Sequence, residues 1–170
     1  RKGPTLRKFF SVDLRADDDT PVSGITSIIK DRNVCLWIVA RSCGLLRYDI
    51  REKKTYIYDD PLLRQARVVF CDSAGTIWVG TAGSGLLQLE NPYSPNDLKY
   101  IRYYHTSDER SLLDDSISDI VEDKARGILW IGTHCGLSVL HDKGSILSFE
   151  NFKSGLRIGD LPYNLSLIHI

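Results

Sequence analysis

The chain has 170 residues, 42% of them hydrophobic and 26% charged, with 22 Lys+Arg against 22 Asp+Glu; this is the composition of an ordinary globular domain, outside the disordered, collagenous and coiled-coil ranges. A net charge of zero with no Lys/Arg runs argues against a phosphate-backbone binder, so nucleic acid is not an expected partner. The longest uninterrupted apolar run, residues 35–40, has six residues, where a membrane-spanning helix needs about 20.

In chain order, Arg7–Val12 reads as the outer strand of a preceding unit, with residues 1–23 comprising that strand and a loop. Asp17-Asp18-Asp19 reads as a solvated loop, with metal binding as the alternative. Four strands are then expected in residues 24–65: Ile25–Lys30, Cys35–Ala40, Leu45–Asp49 and Thr55–Tyr58. They show alternating or short β-branched and aromatic runs, and no window carries a helical stripe. Equivalent strands are expected to begin near 68, 76, 86 and 99 within residues 66–115, and near 117, 128, 137 and 145 within residues 116–162. Residues 163–170 read either as the start of a further unit or as a non-native tail, since Leu165–Ile170 looks like the translated end of a transposon adapter used in shotgun libraries.

Those three segments are copies of one pattern. Asp31, Asp72 and Asp123 stand six, six and seven residues before Trp37, Trp78 and Trp130, and Gly44, Gly85 and Gly136 follow the tryptophans by seven, seven and six. Gly80-Thr81 and Gly132-Thr133 end the second strand of their copies, whereas the first copy has Val39-Ala40 there and Val34 in place of the hairpin glycine. The longer second interval between tryptophans is absorbed by Glu90–Leu98 and His105–Asp115, rich in turn-forming residues. Four-stranded antiparallel units of about 40 to 50 residues repeated in tandem predict propeller blades. The expected fold is all-β: a partial β-propeller of three complete blades with partial blades at both ends, read as a piece of a longer ring. Such an arc is expected to leave two sheet faces bare and prone to association.

The pattern Asp-x-x-Gly-x-Ile/Leu-Trp-Ile/Val-Gly-Thr followed by Gly-Leu resembles the two-component regulator propeller repeat over roughly residues 24–164. That repeat occurs in extracytoplasmic sensor regions of hybrid two-component sensors, best known from gut Bacteroidetes. The resemblance implies a periplasmic sensor module that binds an oligosaccharide and signals to a histidine kinase beyond this chain. It implies as partners the remaining blades, a downstream β-sandwich and a second copy in a homodimer, and no catalysis or cofactor in the chain itself. The alternatives are a propeller polysaccharide lyase or hydrolase, and a secreted protein-interaction propeller.

Trp37, Trp78 and Trp130 suit either sugar stacking or packing between blades, and their place among Ile, Val and Leu favours packing. The recurring aspartates suit turn capping better than calcium, because no loop carries several oxygen ligands in sequence. His134, Cys135 and His141 lack zinc spacing, so no metal site is expected. In propellers the loops between second and third strands open on the ligand face, which makes Arg41, Ser42, Ser84 and His134 the candidate ligand or interface residues, with a plain solvated loop as the alternative.

Overall fold

The computed structural model describes residues 12–15, 19–142 and 147–153. Strands β1 (Ile25–Lys30), β2 (Cys35–Ala40), β3 (Gly44–Asp49) and β4 (Lys54–Ile57) form one four-stranded sheet. The second holds β5 (Ala66–Cys71), β6 (Ile77–Thr81), β7 (Leu86–Leu89) and β8 (Tyr100–Tyr103). The third holds β9 (Ile117–Asp123), β10 (Ile128–Thr133), β11 (Gly136–Asp142) and β12 (Leu147–Lys153). Each sheet is an antiparallel meander with strands in sequence order, so the three are blades of a partial β-propeller. Strand positions agree with the sequence expectation to within a residue or two; Arg7–Ser11 and the segment from Asn164 onward lie outside the described residues.

The innermost strands converge. Thr26 Oγ1 donates to Arg67 O at 3.0 Å and Val69 N donates to Ser27 Oγ at 3.1 Å, stitching β1 to β5. Alternation along each second strand then divides its side chains between two neighbours. Trp37 and Val39 face the second blade and pack with Val69, Ile77, Val79 and Leu87. Trp78 faces the third and packs with Ile117, Ile120, Leu129 and Ile131. Burying both faces of each sheet in this way is what stacking of blades supplies.

The first copy's departure from Gly-Thr has a packing reason. By strand register Ala66 occupies the station that Ile117 occupies in the next blade. Gly80 opposes Ile117, and a Cβ there would stand 2.5 Å from Ile117 Cγ2. Val39, at Gly80's station in the first blade, packs in the cluster that includes the small Ala66. The two interfaces thus share one volume between partners in opposite ways, Val with Ala and Gly with Ile. Val34 is a true exception: it holds φ 65° where Gly75 and Gly127 hold 94° and 64°, and a β-branched residue there is strained.

The expectation of bare outer faces needs correction. Ile38 and Leu46, on the first blade's outward face, are 1% and 0% exposed, with Leu14 and Val22 packed against their cluster. Ile128, Trp130 and Val139 on the third blade's outward face are also buried. Over the first blade Leu14 and Val22 supply the cover, because leaving an apolar sheet face wet costs roughly 25 cal/mol per Å².

Candidate functional site

The repeated Asp and Trp form one device. Asp31 Oδ1 accepts from Cys35 N, and its Oδ2 accepts the indole N–H of Trp37, both at 2.8 Å. Asp72 makes the same pair of bonds to Thr76 N and Trp78, again at 2.8 Å. One carboxylate thereby closes the hairpin and supplies the acceptor that a buried indole needs. Tyr93, from the loop after β7, donates a further bond to Asp31 Oδ2 at 2.9 Å. In the third copy, where the spacing is one residue longer, Asp123 instead receives Arg126, through its backbone N–H at 3.2 Å and its guanidinium. That hydrogen bond holds the Asp123 carboxyl below its ordinary value.

Around this core the periphery between the first two blades is aromatic. Trp37 stacks on Tyr58 with centroids 5.6 Å apart and meets Tyr93 edge-on at 5.9 Å. The buried Arg47 guanidinium lies 4.2 Å over Tyr56 and 5.4 Å over Tyr93. Burial pushes the phenols of Tyr58 and Tyr93 up to about 12.

On the opposite end of the blades, one backbone tie recurs. Arg41 N donates to Gly24 O at 3.0 Å, Ala82 N to Gln65 O at 2.9 Å, and His134 N to Ser116 O at 3.0 Å. Arg41 and His134 are therefore equivalent positions, both exposed at the mouth of their blades. Gly44 and Gly85 enter the third strand at φ 76° and 84°, and an added Cβ would collide with the backbone of Leu63 and Tyr103 respectively. Thr81 Oγ1 donates to Gly85 O at 2.8 Å and Thr133 Oγ1 to Gly136 O at 2.9 Å, which clasps these loops.

The four candidate residues are not brought together. Arg41 and Ser42 line a depression of about 570 Å³ at the mouth of the first blade, bordered also by Val22, Ile57, Asp59 and Arg64. Ser84 is 7% exposed and its hydroxyl donates to Gln65 Oε1 at 3.1 Å, so it is part of its own loop's frame. His134 stands on the third blade, away from that depression. The Cys135 thiol donates to Asp114 at 3.3 Å, which raises its pKa, and His141 pairs with Glu150 at 3.2 Å. Ile57, Asp59 and Arg64 carry no repeat signal that marks them for this mouth, because they lie at the end of the fourth strand and in the variable crossover after it.

No helix among the described residues is long and apolar enough to cross a membrane. No family model matches the chain, and no curated protein matches it. Among solved structures it is similar to the extracellular domain of the hybrid two-component system BT3049 of B. thetaiotaomicron, at 20% identity over 84% of this chain and 20% of that one, with a TM-score of 0.65. The extracellular domain of the hybrid system BT4673 matches at 20% identity over 82% of this chain and 18% of that one, TM-score 0.60. Virginiamycin B lyase from Staphylococcus aureus matches at 15% identity over 76% of this chain and 42% of that one, TM-score 0.54. The chain spans about a fifth of the length of the two sensor-system domains. The likeness at such identities is one of fold, and since both signalling domains and a lyase share it, the function has to be argued from the site: the chain is an arc of β-propeller, a fold it has in common with the extracellular domains of hybrid two-component systems and with the lyase.

Proposed function

We propose that this chain is part of an extracytoplasmic, periplasmic sensor propeller that binds an oligosaccharide and signals to a histidine kinase elsewhere in the full-length protein. The observation that carries this reading is the depression of about 570 Å³ at the mouth of the first blade, which sets Arg41 and Ser42 beside the apolar Ile57 and Val22. Hydrogen-bonding groups around an apolar floor suit a saccharide, whose ring offers hydroxyls at its edge and C–H groups on its face. The fold shared with extracellular domains of hybrid two-component systems supports the same reading. The lyase among the structural neighbours makes catalysis the alternative to test.

Isothermal calorimetry of the chain against neutral and acidic oligosaccharides from plant and host glycans tests the proposal. The expected result is saturable binding with no change in the sugar, lost on Arg41→Ala. Conversion of a bound polysaccharide to unsaturated products, read by ultraviolet absorbance, would favour a lyase instead.

A further inference from the structure

Equivalent stations in the three blades differ at one place. Strand register aligns Ile57, Arg102 and Asn151, which pair with Leu46, Leu87 and Ser138. Arg102 Nε donates to Ser84 O at 2.8 Å, tying the outer strand of the second blade to the loop at its mouth. Asn151 Nδ2 donates to Glu109 O at 3.1 Å and Ser111 O at 2.8 Å, tying the outer strand of the third blade to the crossover that precedes that blade. Ile57 has nothing to donate.

The same copy lacks the loop clasp. Thr81 and Thr133 bond the carbonyl of the following glycine, whereas Ala40 at their station carries no hydroxyl. Two changes in one blade therefore leave its mouth without those two side-chain ties, its loop being held instead by Ser23 N donating to Ser42 Oγ at 3.0 Å, with Ile57 and Val22 in the lining. The charges lining the depression are Arg41, Asp59 and Arg64. Arg64 Nε donates to Asp59 at 3.1 Å, so that pair is self-neutralising. Arg41 is exposed, and among the described residues no salt bridge engages it, so the described lining carries one unpaired positive charge.

Resting on the saccharide reading above, we infer that the ligand is an acid-bearing saccharide, carrying a carboxylate or a sulfate that Arg41 receives while a ring face lies on Ile57 and Val22. The planar guanidinium fork matches both anions in two parallel hydrogen bonds, and an apolar floor beside it orders the sugar in one direction. A neutral sugar would leave the cation with water alone.

The full chain is tested on a printed array of neutral, uronate-containing and sulfated oligosaccharides, beside Arg41→Gln and Ile57→Arg, with circular dichroism checking that each variant folds. Binding confined to acid-bearing spots is expected, weakened about 10-fold or more in Arg41→Gln, as loss of a charge-assisted hydrogen bond predicts. Ile57→Arg restores the residue of the second blade and is expected to fill the depression and abolish binding. Signal on uronates only or on sulfates only identifies the anion and supports the inference. Equal signal on neutral spots, or acid-specific signal that Arg41→Gln leaves intact, overturns the acidic ligand while the saccharide reading stands. No signal on any class overturns both.

Discussion

The reciprocal packing at the two interfaces between blades predicts a strong, measurable coupling between Gly80 and Ile117. Ile117 is fully buried, so Ile117→Ala is expected to cost about 3 kcal/mol through lost transfer energy and an unfilled cavity. Gly80→Val places atoms where a Cβ already stands 2.5 Å from Ile117 Cγ2 and 2.7 Å from Val68 Cγ1, an overpacking expected to cost about 2 kcal/mol or more. Independent effects would sum to about 5 kcal/mol. In the double variant the valine enters the space the isoleucine vacates, which recreates the Val39 and Ala66 arrangement of the first interface. The expected loss is then only about 1 to 2 kcal/mol, the residue being the contact with Val68, whose station in the first blade is held by the smaller Ser27. Urea unfolding followed by tryptophan fluorescence gives all four free energies. A double variant whose loss equals the sum of the singles within about 0.5 kcal/mol would refute the shared-volume argument.

Four further outcomes follow from named contacts. Val34→Gly relieves a β-branched residue at φ 65° and is expected to raise stability by about 1 kcal/mol, seen as a higher urea midpoint at unchanged slope. Asp72→Ala removes the acceptor of both Thr76 N and the Trp78 indole and is expected to cost about 2 to 3 kcal/mol. Asp123→Ala, whose partner is the half-exposed Arg126, is expected to cost less than Asp72→Ala in the same unfolding assay. Tyr58 and Tyr93 have phenols raised from 10 to about 12 in the folded chain; a raised folded value means their contribution is whole below pH 10 and is lost as pH rises from 10 to 12. Alkaline titration at 295 nm should show these two ionising together with unfolding, later than exposed tyrosines.

What was legible in the sequence is what recurs within a copy. The strands follow from alternation, and the spacing of Asp31, Trp37 and Gly44 was readable as a motif because local geometry imposes it in every blade: the carboxylate must reach both the hairpin N–H and the indole, and the glycine must enter its strand at positive φ beside foreign backbone. The bond from Asp to Trp was missed because period-2 alternation says which face a residue takes and not what its polar edge meets. Where a contact joins different copies, the motif is silent. Val39 departs from the pattern of Gly80, and the reason is visible only when Ala66 is compared with Ile117.

The same logic applies to the mouth of the first blade. Arg41 and Ser42 were found by their polarity, yet Ser84 was equally polar and lies buried against Gln65. What separates the two loops is not their own residues but Ile57 against Arg102 across the sheet, and Ala40 against Thr81 at the loop's start. A repeat keeps its fold by conserving ties between strand and loop, so a copy that drops two of them at one mouth gives up local hydrogen bonds worth about 1 kcal/mol each. The mouth keeps a different tie, Ser23 N donating to Ser42 Oγ at 3.0 Å, while its lining is partly aliphatic and Arg41 meets no salt bridge among the described residues. A ligand that supplies an anion and an apolar face engages Arg41 and covers Ile57 and Val22, and stability should rise with its concentration, as RT ln(1 + [L]/Kd). An acid-bearing saccharide that raises the Tm of the chain and of Arg41→Gln equally would place its binding away from this mouth and refute the assignment.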